Sequence, residues 1–99
     1  MKYRFGSLDK YYNYRLSKSL KIKKVINEFK NLKKCRVLDI GTGSGIISYD
    51  IGKSSKKVYS VDLEDRRIYS KNYIFKKVHN ERLPFKNNYF DIVISNHVI

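Results

Sequence analysis

The sequence has one cysteine, Cys35, one proline, Pro84, and no tryptophan among its 99 residues. A lone cysteine excludes an internal disulfide and any Cys-rich zinc site, and it fits a reducing compartment. No apolar run approaches the ~20 residues that cross a bilayer. The first residues, Met1 to Ser7, are charged and have no apolar stretch behind them. No signal peptide is therefore expected, and the reading is cytoplasmic. Internal repeats, low-complexity tracts and linkers are absent. Acidic residues are scarce too, 9 against 22 Lys and Arg, for a net charge of +13. A field of that sign attracts phosphate backbones, so a nucleic-acid partner is consistent with it. Most of the charge is nevertheless carried by dispersed lysines such as Lys21, Lys24, Lys30, Lys53 and Lys57, the pattern of a solvated surface.

Hydrophobic residues make up 41% of the chain and aromatic residues 14%, which suits one small globular domain rather than a disordered segment. Residues 1–34 read as a helical segment. Ile22, Val25, Ile26, Phe29 and Leu32 recur at helical spacing, with lysines between them. Leu16 and Leu20 lie off that stripe, so two helices, or one kinked near Ser17 to Ser19, fit as well as one rod. After residue 34 the period changes. Residues 35–40 form a short, nearly continuous apolar run, as a buried parallel strand does. Glycines follow at 41, 43 and 45, and Ile46, Ile47 and Ile51 open a helix that Gly52 can end. Residues 57–62 read as a second strand ending on Asp62, 64–72 as a short helix, and 73–78 as a third strand. A turn around Pro84 and the Asn87-Asn88 pair leads to a fourth strand over 90–96. Strands alternating with helices imply βαβ units and a parallel α/β sheet.

The glycine loop Gly41-Thr42-Gly43-Ser44-Gly45 lies where strand passes to helix. Such a loop admits a ligand close to the backbone and directs N–H groups toward an anion. Two absences narrow its meaning. A dinucleotide-binding GxGxxG motif needs glycine where Ile46 stands, and no Gly-Lys-Ser/Thr ending makes a triphosphate loop. Asp62, at the C-terminal tip of the second strand, is beside the ligand crevice of an open α/β sheet, where a carboxylate can accept from a ribose diol. A helix-capping role is its alternative.

Taken in order, 37–45, Val61-Asp62, Leu83-Pro84-Phe85 and Phe90-Asp91-Ile92-Val93 resemble the successive motifs of class I S-adenosylmethionine-dependent methyltransferases. The nearest pattern is the group typified by ubiquinone/menaquinone-biosynthesis C-methyltransferases. The resemblance covers residues 35–99 and implies a Rossmann-like parallel sheet of order 3-2-1-4. It implies that Asp39, Gly41, Thr42, Gly43 and Gly45 line the cofactor's methionine portion, that Asp62 holds the ribose hydroxyls and that Leu63 lies against adenine. His79 and Asn80 stand where relatives carry an Asp-Ala pair at the adenine edge, a departure from the pattern. Asn96 falls near the methionine ammonium and the transferred methyl group. His97 is the one candidate base near the crevice mouth, a place where single histidines are more often structural. The Asn-Pro-Pro-Tyr sequence of amino-methylating nucleic-acid enzymes is absent. Tyr11, Tyr12 and Tyr14 occupy the place of a substrate lid, or are ordinary core and surface aromatics.

The family domain has seven strands, so the chain is expected to be its N-terminal, cofactor-binding half, truncated after the fourth. The acceptor, a small molecule or RNA, is not readable. A free edge on the fourth strand would invite self-association or a second chain that completes the sheet. Two other classes compete: a nicotinamide-dependent oxidoreductase, disfavoured by Ile46, and a non-catalytic basic module, an RNA- or partner-binding remnant of a methyltransferase.

Overall fold

A computed structural model describes residues 7–79, 83 and 85–95, with the side chains from Tyr12 onward. Helix α1 spans Ser7–Phe29 and is followed by a 3-10 turn, Leu32–Lys34. Strand β1 (Arg36–Ile40), helix α2 (Ile46–Gly52), strand β2 (Lys57–Asp62), strand β3 (Ile74–Lys77) and strand β4 (Ile92–Ser95) follow. All strand pairings are parallel and the order is β3-β2-β1-β4. The register sets Val37 opposite both Val58 and Ile92, and Ile40 opposite Val61 and Ser95.

Alternation along the strands explains the core. Val37, Val58, Ile92 and Ile94 face the helices and meet Ile26, Leu32, Ile47 and Ile51. On the other sheet face Tyr59 gathers Phe85, Tyr89 and Phe90 edge-on at 5.3–5.9 Å between ring centroids, a favourable aromatic geometry. Cations cover these rings: Arg36 lies over Tyr89, Lys57 over Tyr59 and Lys76 over Phe85. Among the described residues β4 is an edge strand, and Val93 on it is 57% exposed.

Several boundaries and one helix differ from the sequence reading. Helix α1 is continuous through Ser17 to Ser19. Ser19 spends its hydroxyl on Asp50 of α2, at 2.8 Å, so it does not interrupt the helix. The buried face of α1 is Arg15, Ser19 and Ile26, with Ile22 half-buried, while Val25 is 55% and Phe29 81% exposed. That face is half polar because α2 presents Asp50 to it, and Lys23 joins Ser19 there with an ion pair at 2.8 Å.

The helix expected over 64–72 does not form, and this stretch is a chain of bends. Asp65 accepts from the backbone N–H of Arg67 and also holds its guanidinium at 2.8 Å. Such a local side-chain-to-backbone bond competes with helical bonding. The N–H groups of Ile68 and Tyr69 both go to the carbonyl of Ser44 rather than to helical partners. Strands β3 and β4 are shorter than the runs 73–78 and 90–96 that suggested them.

Candidate functional site

The site begins where β1 ends. Asp39 is the last inward-facing residue of β1 and is 3% exposed. Its Oδ2 accepts from Ser48 Oγ at 2.6 Å and Thr42 Oγ1 at 3.0 Å, and Ser48 also meets the hydroxyl of Ser60 on β2. A buried polar network of this kind fixes the loop above it, because every member would be costly to leave unpaired. Burial pushes the Asp39 carboxyl above the usual aspartate range. The Ser48 and Thr42 hydrogen bonds and the charge of Arg15 oppose that rise, and Asp62 adds to it.

Above this network the loop turns through left-handed backbone at Gly43 (φ 56°) and Gly45 (φ 85°). At Gly43 nothing among the described residues lies within 4 Å of where a β-carbon would stand, so the backbone is open to close approach. At Gly45 a β-carbon would fall on the Tyr73 hydroxyl and the Tyr69 carbonyl oxygen. The segment before β3 is thus clamped on the loop, and Tyr73 donates to the Tyr69 carbonyl there.

Asp62 ends β2 and ties the loop from the side. Its Oδ2 accepts the Gly43 N–H at 3.0 Å, and its Oδ1 accepts the Leu63 N–H at 2.7 Å. Lone pairs remain on both oxygens. Leu63 is exposed beside it. The Val78 N–H bonds the Asp62 carbonyl at 2.9 Å, which brings the exposed His79 to the same sheet end. Asp39, Gly41, Thr42, Gly43, Gly45, Asp62, Leu63 and His79 therefore share the C-terminal rim of β1, β2 and β3. Asn80, Asn96 and His97, expected at the same crevice, lie outside the described residues, as does the side chain of Tyr11.

Sequence reasoning missed several residues here. Ser48 and Ser60 complete the support under Asp39. Tyr49 and Tyr69, not singled out either, form a run of tilted rings with the lid candidate Tyr12, with centroids 5.3 and 5.7 Å apart. Arg15 is only 8% exposed, and its Nε has no hydrogen-bond partner among the described residues. The spacing of Arg15, Ser19, Ile22 and Ile26 on one helical face was the available signal.

A cavity of about 300 Å³, lined by Lys23, Asn27, Asn31, Leu32, Lys33 and Ser54, opens at the opposite sheet end. It is remote from the loop, since Leu32 precedes β1 and Ser54 follows α2.

The fold is an open, Rossmann-like α/β sheet, and the loop occupies the crevice where strand order reverses about β1. The chain belongs to the family described as methyltransferase domain, which matches residues 8–99. Among solved structures it is similar to the YcgJ protein from Bacillus subtilis, with a TM-score of 0.63 and 25% identity. That similarity covers 80% of this chain and 37% of the YcgJ chain, so the present sequence spans little more than a third of that protein. No curated protein matches the chain. Among the described residues no helix is long and apolar enough to cross a membrane, and no cluster of potential metal ligands occurs.

Proposed function

We propose that this chain carries the S-adenosylmethionine-binding part of a methyltransferase that delivers a methyl group to a small-molecule or RNA acceptor. The observation that carries this reading is the open left-handed backbone at Gly43, tied by its N–H to Asp62 at the tips of β1 and β2. Two features fit a cofactor bearing a ribose and an amino-acid end. Gly43 leaves unfilled space that a side chain would close, and Arg15 offers a buried Nε–H with no acceptor among the described residues.

In this reading the backbone of Gly41, Gly43 and Gly45, with Thr42, holds the methionine portion, and Asp62 accepts from the ribose hydroxyls. Leu63, His79 and Asn80 would border the adenine, Asn96 the methionine ammonium and the transferred methyl group, and His97 the crevice mouth. Asp39 serves from beneath, by fixing Thr42 and Ser48. The bound cofactor supplies a methyl group on a good leaving group, in line for displacement. The remaining work of the protein is positional: to hold the sulfonium end against the acceptor and to exclude water. A base is required only for an acceptor that must lose a proton, and His97 is the residue for that role.

Titration calorimetry of the 99-residue chain with S-adenosylhomocysteine, and separately with NAD, tests the proposal. Saturable heat with the first and none with the second is expected. Binding of NAD alone, or of neither, would overturn it.

A further inference from the structure

The cavity at the N-terminal end of the sheet has no part in the cofactor reading. It forms where the turn after α1 meets the turn after α2. The N–H groups of Lys56 and Lys57 both bond the Cys35 carbonyl, and this contact joins the two turns, so that Ser54 shares a wall with Asn31. The space is about 300 Å³, bounded by Lys23, Asn27, Asn31, Leu32, Lys33 and Ser54, of which only Leu32 is apolar. That is the lower end of the ~300–1,000 Å³ that ligand sites occupy, and it suits a small polar group.

The oxygen atoms of this lining are largely spent. Asn27 Oδ1 accepts the Leu32 N–H at 3.2 Å, and Asn31 Oδ1 accepts the Lys33 N–H at 3.1 Å. The Asn31 carbonyl accepts the Lys34 N–H and the Cys35 thiol. Only the oxygen of a side-chain amide accepts, so these bonds fix both asparagines and leave their NH2 ends as donors. Charge points the same way. None of the lining residues is acidic. Lys23 pairs with Asp50 at 2.8 Å, whereas Lys33 has no ion-pair partner among the described residues. Of the carboxylates nearby, Asp50 is held by Lys23 and Ser19, and Asp91 accepts the Arg36 N–H at 2.8 Å. Glu28 is exposed, about 100° round α1 from Asn27. Exposed lysines flank the lining in sequence, Lys30 and Lys34 on one turn and Lys53 and Lys56 on the other. Beside Ser54, the Ser55 hydroxyl is buried with no partner among the described residues.

We propose that this cavity binds a phosphate group, with the NH2 ends of Asn27 and Asn31, the Lys33 ammonium and the Ser54 hydroxyl as its donors. A metal cation does not suit a lining with no carboxylate and its carbonyl oxygens taken. A tetrahedral anion takes donors from several directions at once, and lysine serves it as a point charge. The phosphate belongs either to a phosphodiester chain or to a small phosphate ester. A chain held here would follow α1 to reach the glycine loop. The helix covers about 22 Å between Asn27 and Tyr12 at ~1.5 Å per residue, and the Tyr12 ring meets Tyr69 at the loop.

Heteronuclear NMR of the full chain tests this by following the side-chain NH2 signals of Asn27 and Asn31. Inorganic phosphate replaces chloride at constant ionic strength. Saturable shifts of both signals, and of the Lys33 and Ser54 amides, are expected. Asn31→Asp keeps the oxygen that caps the turn and replaces the donor with an acceptor. It should weaken phosphate about 10-fold or more and leave the urea midpoint unchanged; Asn27→Asp should act alike. Lys33→Met should weaken binding too. Lys21→Met removes the same charge from the opposite face of α1 to Lys23, and should change affinity by less than about twofold. Oligouridylate and glycerol phosphate then identify the source, by which of them displaces inorganic phosphate. Absent or unsaturable shifts in the parent would overturn the proposal, whether or not the variants fold. Equal losses from Lys21→Met and Lys33→Met would overturn it as well, because net charge rather than the cavity would then hold the anion. Neither result bears on the cofactor reading, which concerns the other end of the sheet.

Discussion

Replacing Gly45 with alanine should destabilise the chain far more than the same change at Gly43, two positions away. Both residues sit in left-handed backbone, at φ 85° and φ 56°. That conformation costs an L-residue about 1–2 kcal/mol, partly offset by a stiffer unfolded chain, worth about 0.4–1 kcal/mol. Around Gly43 a methyl group meets nothing within 4 Å, so its net cost stays near ~1 kcal/mol. Around Gly45 the methyl group would coincide with the Tyr69 carbonyl and the Tyr73 hydroxyl. The first is backbone, and displacing it strains the two bonds from Ile68 and Tyr69 to Ser44. Overpacking costs about 1–3 kcal/mol, and each weakened hydrogen bond adds up to about 1 kcal/mol. The total approaches ~3–5 kcal/mol, a large part of the ~5–15 kcal/mol that holds a domain of this size together.

Urea unfolding followed by far-ultraviolet circular dichroism measures both variants. With a slope of about 1–3 kcal/mol/M, Gly45→Ala should move the midpoint by at least ~1 M, and Gly43→Ala by well under that. Equal shifts would mean that the 64–73 segment does not clamp the loop and that the Tyr69–Tyr73 contact is incidental. A changed slope would mean that Gly45→Ala unfolds the segment locally, which limited proteolysis between residues 64 and 73 would locate.

Three further outcomes follow from the site and its supports. Asp62→Ala removes the acceptor of both the Gly43 and Leu63 N–H groups; it should weaken S-adenosylhomocysteine by about 1–3 kcal/mol in calorimetry, and unchanged affinity would misplace the ribose. Asp39 has a raised pKa in the fold, so the folded chain holds its proton longer than the unfolded one and this residue lowers stability as pH rises above about 4. Asp39→Asn should accordingly gain on the parent in urea midpoints over that rise, and a gap independent of pH would refute the burial of that carboxyl. Lys23→Met leaves the Asp50 carboxylate, 8% exposed, with Ser19 as its side-chain partner among the described residues. Its cost should lie near the lower end of the ~3–5 kcal/mol for breaking a buried pair, since Lys23 remains partly in water, and Lys23→Met with Asp50→Leu should recover most of it.

What could be read from the sequence was whatever is constrained locally. The second strand, 57–62, and the helix from Ile46 to Gly52 coincide with β2 and α2, because apolar runs and a terminal glycine fix them without reference to other elements. The strand order was legible through the resemblance, not through periodicity. The helix over 64–72 was misread because its N–H groups are claimed by Ser44, a residue of another element, and by Asp65 at short range. The stripe on α1 was half wrong for a related reason. Val25 and Phe29 are apolar by composition yet exposed, while Arg15 and Ser19 are buried because α2 and the loop offer polar partners. Asn80, Asn96 and His97 fall outside the described residues.

Polar residues hold the glycine loop in shape, and Asp39, Thr42 and Asp62 were legible in the sequence while Ser48, Tyr69 and Tyr73 were not. Asp39 grips it from below through Thr42 and Ser48, Asp62 holds the Gly43 N–H from the side, and Tyr69 and Tyr73 close over Gly45. A flexible loop would have to be ordered by its ligand, and that ordering would subtract from affinity. Here three separate elements order it beforehand, and among the described residues the space beside Gly43 is left open. The glycines supply the backbone angles. The shape of the loop depends also on Ser48, Tyr69 and Tyr73, whose positions carry no motif, because their partners are brought to them only when β2, α2 and the 64–73 segment have assembled around β1.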